Sequence, residues 1–463
     1  MMLTRWMAAG VPAGEMRTRY RPARWPRCTV DDMKTRRLLS LSIVAGLGVA
    51  ACAGSDDEAA TSVTESSVAD AEVPTAEPVP DTDPVVAEPV DTDPAADDFA
   101  ADDPVVAEPE PVVTEPESEP IAYDFAGVDP VVQAFVDDRG LNGAGLVIVD
   151  ADDGVILERY WGEFGPERSS LIASSSKMLV AGVLLSLQDD GLLDIDAPVA
   201  DVVDWGSGNP EITPAQLLSN SSGLIGLFPE PADGPYVCQF LPTGTLQDCA
   251  ESIFTSPDDD GAITGPDVAF NYGGAQWQVA GAVAEVVSGK SWAELIDETY
   301  VQPCGVDSLA FNNHFTQMGE GFNHPVEFNS DPSTLIATDN PNLEGGAYIT
   351  APDYGQLLLM HLRSGVCGDE QVLSQGALDT MHADRIAAAY GGSAGGAGTG
   401  YGMGWWIDRE SGRISDAGAY GTVPWLDLED GYGAYLVIES TSEDGNDLAN
   451  ELFDIVDDAV NAG

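Results

Sequence analysis

One helical segment sets the terms for the rest of this chain. Residues 171–187 read Leu-Ile-Ala-Ser-Ser-Ser-Lys-Met-Leu-Val-Ala-Gly-Val-Leu-Leu-Ser-Leu, an apolar helix whose first turn holds Ser174 and Lys177. A serine three residues before a lysine places hydroxyl and amine on one helical face within mutual reach, which is how a Ser-Lys nucleophile is built. Lysine is also scarce: of nine Lys and Arg residues from Ile121 onward, only Lys177 and Lys290 are lysines. Burying an ammonium is expensive, so a lone lysine pointing into an apolar region speaks for chemistry more than for solubility.

The first 120 residues read as address and tether. Lys34, Arg36 and Arg37 precede the small, apolar stretch Leu38–Ala51, which has the form of a secretory signal and is too short to span a membrane. Val49-Ala50-Ala51-Cys52 resembles a bacterial lipobox, with Cys52 as the lipidated residue; plain secretion is the alternative. Residues 1–52 are therefore expected to be a signal and lipoprotein segment. Met33 stands directly before the basic stretch and is expected to be the true start, leaving residues 1–32 without a role. Residues 53–120 carry 21 Asp and Glu, no Lys or Arg, and two copies of Pro-Val-Val-Ala-Glu-Pro. Such a tract repels itself and buries too little apolar surface to offset its ordering entropy, so a disordered acidic linker is expected.

Residues 121–463 are expected to form one large domain of two lobes. The whole chain has a formal charge of −60, a field that repels phosphates and anionic lipid and excludes nucleic-acid binding. Membrane contact is expected through the lipid anchor only. Four cysteines remain, Cys238, Cys249, Cys304 and Cys367, and in an exported chain they allow three pairings. Cys238 with Cys249 closes a short loop, Cys304 with Cys367 ties two segments near helices, and that arrangement is expected. No CxxC pair occurs and the histidines are scattered, so no metal and no cofactor is expected.

Patterning predicts a helix over 128–138, a hairpin over 145–161 turning at Asp153-Gly154, and a short helix from Thr213 with Pro214 in its first turn. Residues 225–270, rich in Pro, Gly and Asp, read as a long loop region. Helical spacing returns over 276–288, 291–300 and 351–364. Strands are expected over 402–408 and 432–439, and a closing helix over 446–460. Strands at both ends with helices between them imply one sheet assembled from distant segments, a helical second lobe and a site between the two.

Six landmarks then occur in one order: Ser174-x-x-Lys177, Asp190-Gly-Leu-Leu-Asp-Ile-Asp-Ala-Pro, Leu217-Leu-Ser-Asn-Ser-Ser-Gly, Asn271-Tyr272-Gly-Gly274, Gly345-Gly-Ala-Tyr-Ile-Thr-Ala-Pro-Asp-Tyr-Gly, and Tyr401-Gly-Met-Gly-Trp-Trp. Over roughly residues 125–460 the chain resembles the serine β-lactamase-related hydrolases, which include class C β-lactamases, DD-peptidases and family VIII carboxylesterases. The resemblance implies an α+β, β-lactamase/transpeptidase-like fold, with an antiparallel sheet flanked by helices and an all-helical lobe. It implies Ser174 as acyl-accepting nucleophile and Lys177 and Tyr272 in proton transfer, with either as the base. The Ser174 N–H is one expected oxyanion donor.

Two departures stand out. Where the family has Tyr-x-Asn, this chain has Tyr272-Gly273-Gly274, without the side-chain amide. Where it has Lys-Thr-Gly or His-x-Gly, this chain has Asp416-Ala417-Gly418, which makes Ala419 the second expected oxyanion donor. An aspartate there opposes an anionic substrate, so an ester or amide, small or peptide-like, is expected. The rivals are a β-lactamase or D-Ala-type peptidase, and a domain that binds without turnover. The sequence leaves oligomeric state open.

Overall fold

The computed structural model describes residues 123–226, 234–255, 263–315, 317 and 331–462. The expected signal segment, the acidic linker and Cys52 lie outside the described residues.

Helix α1 (Val128–Arg139) buries Val128, Val132, Phe135 and Val136 along one stripe and stops at Gly140, whose φ of 65° ends the helix left-handed. Strands β1 (Gly143–Asp150) and β2 (Gly154–Gly162) form the expected hairpin. The Asp150 carboxylate closes its turn by accepting the N–H groups of Asp152 and Asp153. After β3 (Ser169–Leu171), a single 3₁₀ turn (Ala173–Ser176) leads into α2 (Lys177–Asp189), which is buried along most of its length.

Helices α3 (Pro214–Leu218), α4 (Leu246–Phe254), α5 (Ala275–Ser288) and α6 (Trp292–Ile296) make up the helical region. Thr213 caps α3 through a capping box with Gln216, and Pro214 takes the first-turn position where a missing N–H does no harm. Strand β4 (Ala310–Phe311) pairs with β5 (Ala347–Thr350), which runs into α7 (Ala351–Leu362). The small ribbon β6 (Val366–Cys367) and β7 (Glu370–Gln371) precedes α8 (Gln375–His382) and α9 (Arg385–Tyr390). Strands β8 (Thr399–Tyr401), β9 (Trp406–Asp408), β10 (Ile414–Ser415), β11 (Thr422–Asp427) and β12 (Tyr432–Val437) follow, and α10 (Ser442–Asn461) closes the chain.

The main sheet runs β2-β1-β12-β11-β10-β9-β8 and is antiparallel throughout. β1 lies between its own hairpin partner and β12, with Leu146 opposite Leu436, so segments almost three hundred residues apart share one ladder. The fold is α+β, as expected. On one face of the sheet, α1 and α10 bury Leu146, Ile148, Trp425 and Leu436. On the other, Val147, Val149 and Tyr435 join the larger core built on α2, α5 and α7.

Both expected disulfides are present. Cys238–Cys249, with Cα atoms 5.5 Å apart, ties the 3₁₀ turn Gly234–Phe240 to α4. Cys304–Cys367, at 4.9 Å, ties the chain beyond α6 to β6.

Three local expectations are corrected. The stretch 225–270 is not loop alone: α4 lies inside it, capped by Thr245 and burying Leu246, Cys249, Ala250 and Ile253, an amphipathic stripe that the surrounding Pro, Gly and Asp obscured. Residues 402–408 are not one strand, because Gly404, at φ 82°, turns the chain against the first turn of α2 before β9 begins. The helix expected over 291–300 leaves α-geometry after Ile296 and continues as a π-turn, Asp297–Val301.

Candidate active site

The site is assembled on the entry to α2. Ala173 adopts a left-handed φ of 46°, unusual for a residue with a Cβ, and this kink carries Ser174 out of the β3 direction. Three flanking bonds hold the bend: Ile172 N–H to the Ala347 carbonyl at 3.0 Å, Ser176 Oγ to the Ala173 carbonyl at 2.6 Å, and Ala347 N–H to Ser176 Oγ at 3.1 Å. The Tyr354 hydroxyl adds a fourth, donating to the Ser175 carbonyl at 3.0 Å. A strained residue secured on all sides is what a fixed nucleophile position requires.

Lys177 is 0% exposed. Its Nζ donates to Ser174 Oγ at 3.0 Å and to the Glu344 carbonyl at 2.8 Å. The same nitrogen lies 4.7 Å from the centre of the Tyr272 ring and 3.9 Å from Glu344 Oε2. The Tyr272 hydroxyl engages both Ser174 and Lys177. Serine, lysine and tyrosine, drawn from two segments a hundred residues apart, thus meet at one point.

Tyr272 is placed from behind by Asn220. That side chain's Oδ1 accepts from the Gly273 N–H, Gln276 Nε2 and Trp277 Nε1, and its carbonyl accepts from the Asn271 N–H. The Ser219–Gly223 turn is therefore a clamp on the segment that carries the tyrosine. Trp406 flanks Tyr272 at 5.2 Å between ring centres, whereas Trp405 is fully buried against His361.

The last turn of the site runs from Asp416 to Gly421. Ser175 Oγ donates to the Asp416 carbonyl at 2.6 Å, and Thr422 Oγ1 donates to the Ile172 carbonyl at 2.8 Å, so this turn is stitched to the nucleophile segment. A Cβ at Gly418 would lie 2.2 Å from the Ile172 carbonyl oxygen, and only glycine permits the approach. Ala419 is exposed at the tip.

Asp416 contradicts the picture of a charge facing substrate. It is 0% exposed, and among the described residues neither carboxylate oxygen has a hydrogen-bond partner. Burial holds its carboxyl far above the usual range, and the Lys177 ammonium offsets only part of that. Lys177 is pulled down by burial and pushed up further by Tyr272, Glu344 and Asp416, so it ends above its ordinary value. Tyr272 is raised too, by burial first; Lys177 counteracts, and Asp416 adds to the rise.

Gly274 begins α5, but the space beside it is taken. A Cβ there would lie 2.4 Å from Glu344 Cδ and 1.9 Å from Gln239 Oε1. Sequence reasoning named neither Glu344 nor Gln239. The available signal was an acid directly before the Gly345-Gly346 pair, in a chain whose tyrosine motif lacks its amide.

A seven-stranded antiparallel sheet shared by distant segments, with a serine and a buried lysine on the helix beside it, defines the β-lactamase/transpeptidase class of hydrolases. The chain belongs to the Beta-lactamase family, whose profile matches residues 128–457. It is similar to penicillin-binding protein 4 of Amycolatopsis lactamdurans, 25% identical over 293 residues that cover 60% of this chain and 74% of the relative. It is also similar to lovastatin esterase of Penicillium rubens, 25% identical over 299 residues covering 55% and 71%. Among solved structures, the hydrolase EstCE1, described as having promiscuous acyltransferase activity, superposes with a TM-score of 0.58 at 21% identity over 72% of this chain and 98% of its own.

Proposed function

We propose that the protein is an exported, lipid-anchored serine hydrolase that cleaves an ester or amide through an acyl-enzyme on Ser174. The observation that carries this reading is the 3.0 Å hydrogen bond from a fully buried Lys177 Nζ to Ser174 Oγ, with Tyr272 against both. A serine hydroxyl is a poor nucleophile until a neighbour takes its proton. Lys177 and Tyr272 both reach that hydroxyl, and both are held above their ordinary values: the lysine, which burial pulls down, by Tyr272, Glu344 and Asp416, and the tyrosine by burial. The two therefore act as one coupled base, a pair that lacks one proton between them.

In the first step the Lys177–Tyr272 pair takes the Ser174 proton while Oγ adds to the substrate carbonyl, and the N–H groups of Ser174 and Ala419 receive the oxyanion. Collapse expels the alcohol or amine, which takes that proton back from the pair. Water then repeats the sequence on the acyl-enzyme, returning Ser174 to its hydroxyl form.

A second reading, a cell-wall peptidase or β-lactamase, is favoured by the likeness to penicillin-binding protein 4. The residue at 416 speaks against it, because a buried carboxyl stands where the family has the cation that would hold a substrate carboxylate. Hydrolysis rates for nitrophenyl esters and for nitrocefin separate the two. The proposal expects ester turnover that Ser174→Ala abolishes and slow nitrocefin cleavage; nitrocefin faster than every ester would replace it with the second reading.

A further inference from the structure

Beside the nucleophile stand two side-chain acceptors, the Glu344 carboxyl and Gln239 Oε1. Glu344 and Gln239 crowd the place where a side chain at position 274 would begin, so a glycine there and a glutamate at 344 depend on each other. Glu344 is anchored through its own carbonyl, which accepts from Lys177 Nζ at 2.8 Å, while its side chain keeps 14% of its surface open. Gln239 is 1% exposed, and its Nε2 is committed to the Tyr236 carbonyl at 3.0 Å. Among the described residues its Oε1 has no partner. A buried acceptor left empty is costly, and a donor arriving with a ligand removes that cost.

The charges point the same way. One ammonium, Lys177, faces two carboxyl groups, Glu344 and Asp416, and the chain as a whole carries −60. An amide side chain at 274 would have offered an N–H to a substrate carbonyl. The carboxyl in its place, raised by burial and drawn back by Lys177, offers oxygen to an incoming N–H when ionised.

We propose that the Glu344 carboxyl, filling the space left by Gly274, is the substrate-facing acceptor of this site and selects acyl groups that carry an ammonium one or two carbons from the scissile carbonyl. The inference rests on the Ser174 acyl-enzyme reading. Gln239 supports it as the second acceptor, and Lys177 is held in place by the same residue that reads the substrate.

The test uses the full-length protein and three p-nitrophenyl esters of nearly equal size: 3-aminopropionate, butyrate and hemisuccinate. The wild type is expected to favour the amino ester over butyrate by about tenfold in kcat/KM, mostly through KM, with hemisuccinate slowest. Glu344→Gln should bring the amino-to-butyrate ratio to about one. A residue that only steadied Lys177 would lower all three rates together and leave the ratio intact, which overturns the proposal. So does a wild-type ratio of one. If Glu344→Gln does not fold, competition on the wild type decides: propylamine should inhibit butyrate hydrolysis at lower concentration than propionate, and the reverse order overturns the proposal. Absence of ester hydrolysis altogether would sink the hydrolase reading, whereas butyrate turnover without amine preference sinks this inference alone.

Discussion

Two buried carboxylates near the ends of neighbouring strands are treated in opposite ways. Glu439, beyond β12, is 4% exposed and fully answered: Arg168 donates to it twice, at 3.0 and 2.6 Å, and Ser170 Oγ donates at 2.7 Å. Asp416, between β10 and β11, is more deeply buried and has no donor on either oxygen. The cation acting on it is Lys177, which is already committed to Ser174 and Glu344. A folded chain satisfies its buried charges where only stability is at stake. The contrast teaches that the Asp416 pocket is held at a disadvantage to the fold, in the place where the proton-transfer groups sit.

The largest effect should come from removing the cation. Lys177→Ala is expected to lower kcat/KM on a nitrophenyl ester by about a thousandfold or more, since Ser174 loses its hydrogen-bond partner and Tyr272 the charge beside it. Steady-state assay of the purified variant reads this directly; a tenfold loss would mean the site runs without it. On the other side of the comparison, Glu439→Ala should lower unfolding stability by about 2–3 kcal/mol because Arg168 loses its partner, discounted because Arg168 is 24% exposed. Ester kcat/KM per folded molecule should stay within about twofold. Chemical denaturation with activity measured alongside separates the two quantities.

Asp416→Asn should act in the reverse direction on both. A carboxyl whose folded value is raised supports the fold only when protonated, so its contribution is present below its ordinary value of 3.8 and is lost as pH rises above it. The variant should therefore melt higher than the wild type by about 2–4 °C near pH 8, with the gap closing toward pH 4. Removing the carboxyl also removes its upward push on Lys177 and Tyr272, so the ascending limb of the activity profile should move to lower pH. A limb that stays put would detach Asp416 from proton transfer.

A smaller effect concerns the buried histidines. His361 Nδ1 and His382 Nε2 lie 3.0 Å apart, and burial lowers both rings, His361 far below its ordinary 6.5 and His382 to about 4. A base with a depressed value binds its proton in the unfolded chain first. Stability is thus full above about pH 6.5 and falls as pH drops toward about 4. Thermal melts across that range should show the drop, and His382→Gln should remove part of it.

Much of this was legible in the sequence. Ser174, Lys177 and Tyr272 lie in ordered motifs, the Asp153-Gly154 turn announced its hairpin, and the cysteine spacings left few pairings. What was not legible depends on proximity across long separations. Position 274 reads as a missing amide, and only the fold brings Glu344, seventy residues on, into the same space. Asp416 reads as a charge near substrate; its burial follows from stitching the turn to Ser175 and Ile172, which no local pattern encodes. Helices α8 and α9 were not anticipated, although Ser374 and Asp384 cap them.

The central claim is that Ser174 is made reactive by the amine and phenol beside it, and a fluorophosphonate probe followed by mass spectrometry of the digested protein tests it most directly. The account predicts one adduct, on the peptide containing Ser174, forming faster as pH rises and absent from Ser174→Ala. An adduct on another residue, or an unmodified protein at every pH, would contradict it.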